Sequence, residues 1–483
     1  MNYLTSLYNG LSGIGSMSQK LNVTANNVAN VNTTAFKTGL TKFAEVLETS
    51  MGSGSVGHGV QLGSIGTSFA SGSLERTGRS TDMAISGSGF FMLRNSDSLT
   101  ADRYTRNGEF DMVEHLGAEP NAYNLVTPSG QFVQGYNLAA STVSSAVISD
   151  VLVKSTTPQS ATTHVEVVTN LEDSPALVEG VNTPLYNSWD GRNGSPIADG
   201  AYEYKTSLRI YGPDGGTTTA GSAANSDYLT LYYDSTSNQN EKEFLVTCDP
   251  ALDQRLTGNT RYDSSSDKGA GALLYGILHF TPNGDLSDIE YWNVPPSGDV
   301  APSSANRLDL APGERYYSFD FNFNGAAANA TSTISFGSSD SPLATTNYAS
   351  PSTTLFQSQN GFESGTLQGI EVDKLGNIIG QYSNGQNIKQ AQLVLADFSN
   401  LQGLETEGNN TFLATAESGD AILGTAGQGS FGMVTNNALE GSNVDLGREM
   451  VDLITTQRAF QANSKSITTA DDIYDSVLQL IRR

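Results

Sequence analysis

Cysteine is nearly absent from this chain: Cys248 is the one thiol in 483 residues. That excludes an intramolecular disulfide scaffold and suits passage through oxidising space. Cys248 ends the apolar run FLVTC, which reads as a buried, inert position. Histidine numbers four, at 58, 115, 164 and 279. They are scattered, and His58 sits among glycines with no second ligand near it in sequence, so no metal is expected. Long apolar runs are missing too. No stretch approaches the ~18 consecutive apolar residues of a membrane-spanning helix. The opening residues MNYLTSLYNGLSG lack the charged region and apolar block of a cleaved signal peptide. Export, if it occurs, is expected to read something else.

Catalytic patterns are also lacking. There is no nucleophile elbow, no zinc spacing and no complete phosphate loop. Ser86 to Gly89, ahead of Phe90 and Phe91, lacks the Gly-Lys-Ser/Thr ending and reads as a turn into a strand. Asp373 to Asn377 lacks the spaced carboxylates of a calcium loop and reads as a hairpin turn. We therefore expect no catalytic residues, no cofactor and no enzyme activity.

Glycine is abundant, with 50 residues, while only 16% of residues are charged. The middle of the chain is dense in Ser, Thr, Asn and Gly, which predicts short strands and turns. A length of 483 residues holds two to four domains. The formal net charge is −25. Residues 1–50 carry three Lys and two Glu, and residues 443–483 carry five Lys or Arg against six Asp or Glu. The ends therefore sum to zero, and residues 51–442 carry the whole excess. Neutral ends pack closely on copies of themselves. An acidic exterior repels nucleic acid and anionic membranes.

The last forty residues organise the rest. Read at alternating spacings of three and four, they place Leu446, Met450, Leu453, Gln457, Phe460, Ser464, Ile467, Asp471, Tyr474, Leu478 and Ile481 on one helical stripe. Ser442 or Asn443 is the expected cap, with Asp445 and Glu449 in the first turns. A helix of this length, roughly 60 Å at 1.5 Å per residue, needs partners. Residues 4–28 repeat the pattern in Leu4, Leu7, Leu11, Ile14, Ser18, Leu21, Ala25 and Val28. The first helix is expected to end near Asn30. Spacing alone leaves open whether the helices build a rod or pack inside a globular enzyme.

Two stretches then carry a resemblance. ANNVANVNTTAFK, from Ala25 to Lys37, holds Asn26, Asn27, Asn30 and Asn32. ALEGSNVDL (Ala438–Leu446) and TTQRAFQANSKSITTADD (Thr455–Asp472) hold Asn443, Gln457, Arg458, Phe460 and Asn463. Both resemble the terminal signatures of the bacterial flagellar axial proteins, the rod and hook family. ISGSGFFML, YTRNGEF and stretches between 360 and 432 resemble it too, so the likeness covers roughly 1–140 and 360–483. Between these, 38–80 is Gly-rich and reads as a linker by composition, although Val60, Leu62, Ile65 and Phe69 argue for a partly ordered extended segment.

The middle matches the family in character only. HVEVVTNL, YEYKTSLRIY, YLTLYYD, KEFLVTC, LLYGILHF, LSDIEYW and YSFDFNFN read as strands separated by turns such as GPDGG and TPNGD. Seven or more strands with no helical segment predict a β-sandwich or barrel. Its aromatics, among them Tyr202, Tyr204, Tyr232, Tyr233, Tyr316, Tyr317, Phe319, Phe321 and Phe323, read as core and face residues.

The expected fold is mainly β with long terminal α-helices. The helical ends are coiled-coil-like and form an inner tube, with nested β-rich domains outside. Residues 1–33 with 443–483 form the helical domain, and 34–80 with 433–442 an extended connection. Residues 81–164 with 357–432 form a first outer β domain, and 165–356 an inserted sandwich-like domain of one or two lobes. The resemblance implies a hook-type structural subunit, extracellular, polymerising into a curved, flexible hollow tube that couples rod to filament and transmits torque. The distal rod proteins are the alternative within the family, disfavoured by this chain's length. A secreted oligomeric adhesin is the alternative outside it. Implied partners are copies of the chain, the rod, hook-cap and hook–filament junction proteins, and the type III export apparatus. Nucleic acid and membrane insertion are not expected. The expected subunit interface is Leu4, Leu7, Leu11, Ile14, Leu21, Val28, Leu446, Met450, Leu453, Phe460, Ile467, Tyr474, Leu478 and Ile481. Each apolar residue fully buried there contributes about 1.5–3 kcal/mol.

Overall fold

The computed structural model describes residues 3–48, 56–97, 101–115, 121–139, 142–143, 147–173, 184–212, 226–238, 240–257, 260–300, 302, 307–308, 316–322, 329–337 and 343–481. The chain forms two compact units, one from residues 1–156 and 367–483 and one from residues 157–366. Among the described residues there are three α-helices: α1 (Tyr3–Ala29), α2 (Leu185–Ser188) and α3 (Leu446–Ile481). None is long and apolar enough to cross a membrane.

In the first unit, segments from both flanks of the insertion build one antiparallel sheet. Phe90–Arg94 lies between Phe132–Ala139 and Ala101–Thr105, and Asn387–Asp397 pairs with Phe132–Ala139 on the far side. Phe91 and Leu93 point into one core with Leu393 and Leu395. Phe90 and Met92 point the other way, into a second core with Val394, Ala396, Phe398 and Phe412. Burial on both faces explains why FFML and LVLA are continuous apolar runs, since successive strand residues alternate sides. The turns fall where glycine allows them. Gly130 (φ 83°) closes the 127–131 hairpin through Thr127 N donating to Gln131 O, and Gly376 (φ 75°) closes 373–377.

The 38–80 stretch is more ordered than its glycines suggest. Strands β1 (Gly39–Glu48) and β2 (Val56–Thr67) form a long antiparallel hairpin. It lies along α1, where Ser16 Oγ donates to Val60 O at 3.1 Å and Tyr8 stacks on His58 at 6.1 Å. Backbone pairing supplies what side chains do not.

The second unit is a β-sandwich. One sheet runs Tyr204–Tyr211, Ser226–Ser235, Glu241–Thr247, Ala272–Phe280 and Leu286–Asn293, with each neighbouring pair antiparallel. The other runs Tyr317–Phe321, Ala330–Ser335, His164–Asn170 and Thr353–Gln359, with one parallel pairing between its central strands. Leu229, Leu231, Tyr233, Phe244 and Val246 meet Val165, Val167, Phe319, Phe321 and Ile334 between the sheets. Cys248 is buried in this core. The first sheet is covered on its other face as well, where Leu245, Tyr275 and Trp292 pack on Leu185, Trp189 and Ile197. That cover includes α2, so the middle holds one helical turn where none was expected. Pro184, which precedes the turn, has the fixed φ that starts a helix readily. Tyr317 is buried and Tyr316 is exposed. Phe323 and residues 213–216 of the GPDGG turn lie outside the described residues.

Candidate assembly surface

Helices α1 and α3 pack antiparallel within the first unit. Lys20 Nζ reaches Asp452 Oδ1 at 3.6 Å, Gly13 lies opposite Asn463, and Gly10 lies opposite Ile467. A Cβ at Gly10 would stand 2.7 Å from Ile467 Cγ1, and one at Gly13 would stand 2.6 Å from Asn463 Nδ2. Glycine inside a helix costs about 1 kcal/mol relative to alanine. Here it lets the two helices close.

The contact overlaps the apolar stripe only in part. On α3 the buried positions are Glu449, Thr456 and Ala470, with Asn463, Ser464 and Ile467 half-buried. At 3.6 residues per turn, the row Glu449, Thr456, Asn463 and Ala470 sits about a quarter turn from the centre of the stripe read in the sequence, while Ser464 and Ile467 belong to the stripe itself. Of that stripe, Leu453, Ser464 and Ile467 are half-buried. Leu446, Met450, Gln457, Phe460, Asp471, Tyr474 and Leu478 are exposed. Val451, Ile454 and Ile473 widen the exposed apolar surface, which ranges from 37% exposure at Phe460 to 61% at Val451. On α1 the buried residues are Gly10, Gly13, Ser16, Thr24 and Asn27. Leu7, Ile14, Leu21 and Val28 are half-buried, and Leu11 is exposed. Leu4 and Ile481 are helical, but their side chains lie outside the described ones. Helical spacing identifies an apolar stripe without saying which neighbour covers it. Small residues decided which face meets the other helix.

The signature residues divide by role. Asn27 clamps the start of β1, with Nδ2 donating to Gly39 O at 3.0 Å and Oδ1 accepting from Gly39 N at 2.9 Å. Asn30 Nδ2 donates to Asn26 O at 2.9 Å and ends α1. Asn443 ties three passages of chain together. Its Oδ1 accepts from Thr38 N and Thr38 Oγ1 at 2.8 and 2.7 Å, and its Nδ2 donates to Ser68 O and Ala70 O. Asn443 therefore does not cap α3. Asp445 does, with Oδ1 accepting from Arg448 N at 3.2 Å, because it immediately precedes the helix, where a side-chain oxygen reaches a free amide of the first turn. Asn32, Gln457 and Arg458 are exposed.

Beside Asn443 sits a buried charge cluster that the motif reading did not single out. Lys37 Nζ donates to Glu440 Oε1 at 2.6 Å and to Ala70 O at 3.0 Å, and Gly72 N donates to the same Glu440 oxygen at 2.8 Å. Arg106 Nη1 lies 3.7 Å from Glu440 Oε2 and donates to Gly87 O. Burial pushes the Lys37 ammonium and the Arg106 guanidinium below their ordinary pKa values, and Glu440 opposes that shift. Lys37 and Glu440 each lie inside a quoted signature stretch, but nothing local pairs them across 403 residues of chain. This clasp joins the ends of both helices to the sheet.

Three family profiles match segments of the chain. The profile "Flagella basal body rod protein" matches residues 7–37, and "Flagellar basal body rod FlgEFG protein C-terminal" matches 435–480. The profile "Flagellar basal body protein FlaE D2 domain" matches residues 185–362. The flagellar hook protein FlgE of Escherichia coli K12 is 31% identical over 97% of this chain and 98% of its own. FlgE of Salmonella typhimurium is 30% identical over 98% and 100%, and that of Treponema pallidum 30% over 99% and 100%. Near-complete coverage of hook proteins favours the hook reading over the rod and adhesin alternatives. The chain thus belongs to the flagellar hook protein family and is a structural subunit of the hook, in the extracellular part of the bacterial flagellum.

Proposed function

We propose that the exposed apolar flank of α3, together with the open side of α1, is the surface through which copies of this chain pack into a hollow tube. One observation carries this reading: Leu446, Met450, Val451, Ile454, Phe460, Ile473, Tyr474 and Leu478 are all exposed along one 36-residue helix. Large apolar surface on a regular element marks an interaction site. The near-zero charge of the two ends lets like helices approach, while residues 51–442 stay strongly acidic. Contacts repeated head to tail without closure give a helical filament.

In this reading residues 1–33 with 443–483 form the inner tube and 34–80 with 433–442 the connection. Residues 81–164 with 357–432 and residues 165–356 form the outer domains. The tube is curved and flexible and passes torque from rod to filament. Its neighbours are the rod, hook-cap and hook–filament junction proteins, and delivery is by the type III export apparatus. No catalytic role is proposed.

Electron microscopy of the full chain beside a chain lacking 1–33 and 443–483 tests this. Tubes from the first and soluble particles from the second are expected. Tubes from the truncated chain would place the assembly contacts in the β units instead.

A further inference from the structure

The sequence holds seven Asn–Gly pairs, at 9, 107, 193, 283, 324, 360 and 384. Such pairs share one intrinsic chemistry. The glycine amide nitrogen attacks the asparagine Cγ, because no side chain on glycine hinders the approach. Whether it happens depends on the fold. The amide must be free of a hydrogen bond, and both residues must be able to rotate.

Six of the pairs lie within the described residues, and the fold engages five of them. Gly10 is buried inside α1. Gly108 is buried, and Asn107 Oδ1 already accepts from Glu109 N at 3.1 Å. Gly284 donates to Thr281 O, Gly385 donates to Tyr382 O, and Gly361 donates to the Gln359 side chain. Asn193–Gly194 differs. Both residues are exposed, and no acceptor holds the Gly194 amide. The pair sits at the apex of a short arc pinned at its base, where Trp189 Nε1 donates to Ala270 O at 2.9 Å and Asp190 N donates to Pro196 O at 2.8 Å.

We infer that Asn193 is a site of spontaneous deamidation, selected by the fold over the other described pairs. The Gly194 nitrogen forms a bond to Asn193 Cγ, the Cγ–Nδ2 bond breaks, and ammonia leaves carrying the proton lost by the Gly194 amide. Water then adds to one carbonyl of the five-membered imide and breaks one of its two C–N bonds. The product is aspartate, or isoaspartate with the backbone routed through the side chain. Either adds one negative charge. It appears beside Arg192, whose guanidinium is already held by both carboxylate oxygens of Asp190 at 2.8 Å each. The new carboxylate competes with Asp190 for that cation, so the arc at 190–196 changes its pairing as the protein ages.

The test holds the full-length chain in mildly alkaline buffer, samples it over days and maps its peptides by mass spectrometry. Enzymatic methylation of isoaspartate reports the linkage. The expected result is that the mass gain from exchanging ammonia for water accumulates first at Asn193, with isoaspartate in excess, and that Gly194→Ala loses it. A Cβ at Gly194 meets nothing within 4 Å, so that variant folds normally. A urea-unfolded sample should lose the preference and modify Asn283, Asn360 and Asn384 as well. Equal or faster accumulation at Asn283, Asn360 or Asn384 in the folded chain would overturn the inference, as would an unmodified Asn193.

Discussion

Phe244 and Phe460 are both aromatic residues on regular elements, and the fold treats them oppositely. Phe244, in the sandwich, is fully buried between two sheets. Phe460, on α3, is 37% exposed, and Met450, Ile454 and Tyr474 on the same helix are more so. The inserted unit completes its own core. The helical ends do not, although their apolar spacing is the more regular of the two. A helix presents a stripe and a sheet presents two faces, and this chain folds cover over both faces of the sandwich's larger sheet while leaving much of the stripe open. A finished core stabilises one molecule. An unfinished one makes stability depend on neighbours.

The sharpest way to break that contrast is to charge the stripe. Phe460→Asp should abolish tubes in electron microscopy while the sandwich melts where it did before. Phe244→Ala should do the reverse, costing about 3–5 kcal/mol in denaturant unfolding of the inserted unit while tubes still form. If Phe244→Ala also destroys the tubes, the two regions are not independent.

Next in size is the clasp. Glu440→Gln leaves Lys37 and Arg106 buried without their carboxylate. A broken buried ion pair costs about 3–5 kcal/mol. The loss should appear in the unfolding of the first unit, and unchanged stability would mean the pair is solvated in solution.

A pH scan separates the units further. Glu243 is buried under α2, accepting from Tyr275 Oη at 2.8 Å and from Leu185 N at 3.1 Å, with Asp234 directly opposite on the neighbouring strand. Burial pushes its carboxyl up to about 7, and the hydrogen bonds from Tyr275 and Leu185 oppose this while Asp234 adds to it. A carboxyl raised above its unfolded value of 4.5 contributes stability that is fully present below pH 4.5 and is lost as pH rises through about 7. The chain's two tryptophans, Trp189 and Trp292, lie in the same cluster. Melting followed by tryptophan fluorescence should fall from about pH 4.5 to about pH 7, and Glu243→Gln should flatten that dependence.

The smallest effect is at the cap. Asp445→Ala should cost about 1 kcal/mol of α3 stability by circular dichroism. Ser442→Ala should cost less, because Ser442 stands outside the helix.

Much of this was legible in the residues. Alternation in YLTLYYD and YSFDFNFN marked sandwich strands, and the Asn-rich end of α1 marked where the helix stops. The order in 38–80 was only partly visible, because its pairing is made by backbone groups that any side chain tolerates. The clasp was hidden for a different reason. Lys37, Arg106 and Glu440 are ordinary charged residues until folding brings them together, and desolvation then gives their pairing its energetic weight.

By itself the sequence determined the period of each element, the neutrality of the ends, the acidity of the middle and the places where glycine permits a turn. These follow from residue type and spacing, which local physics reads directly. Tertiary structure alone decided which face of α3 meets α1, since Gly10 and Gly13 set the approach. It also decided that Asn443 ties passages together instead of capping, and that a buried carboxyl sits under α2. Each of these depends on distance and solvent exclusion between residues far apart in the chain, and no local pattern carries that information.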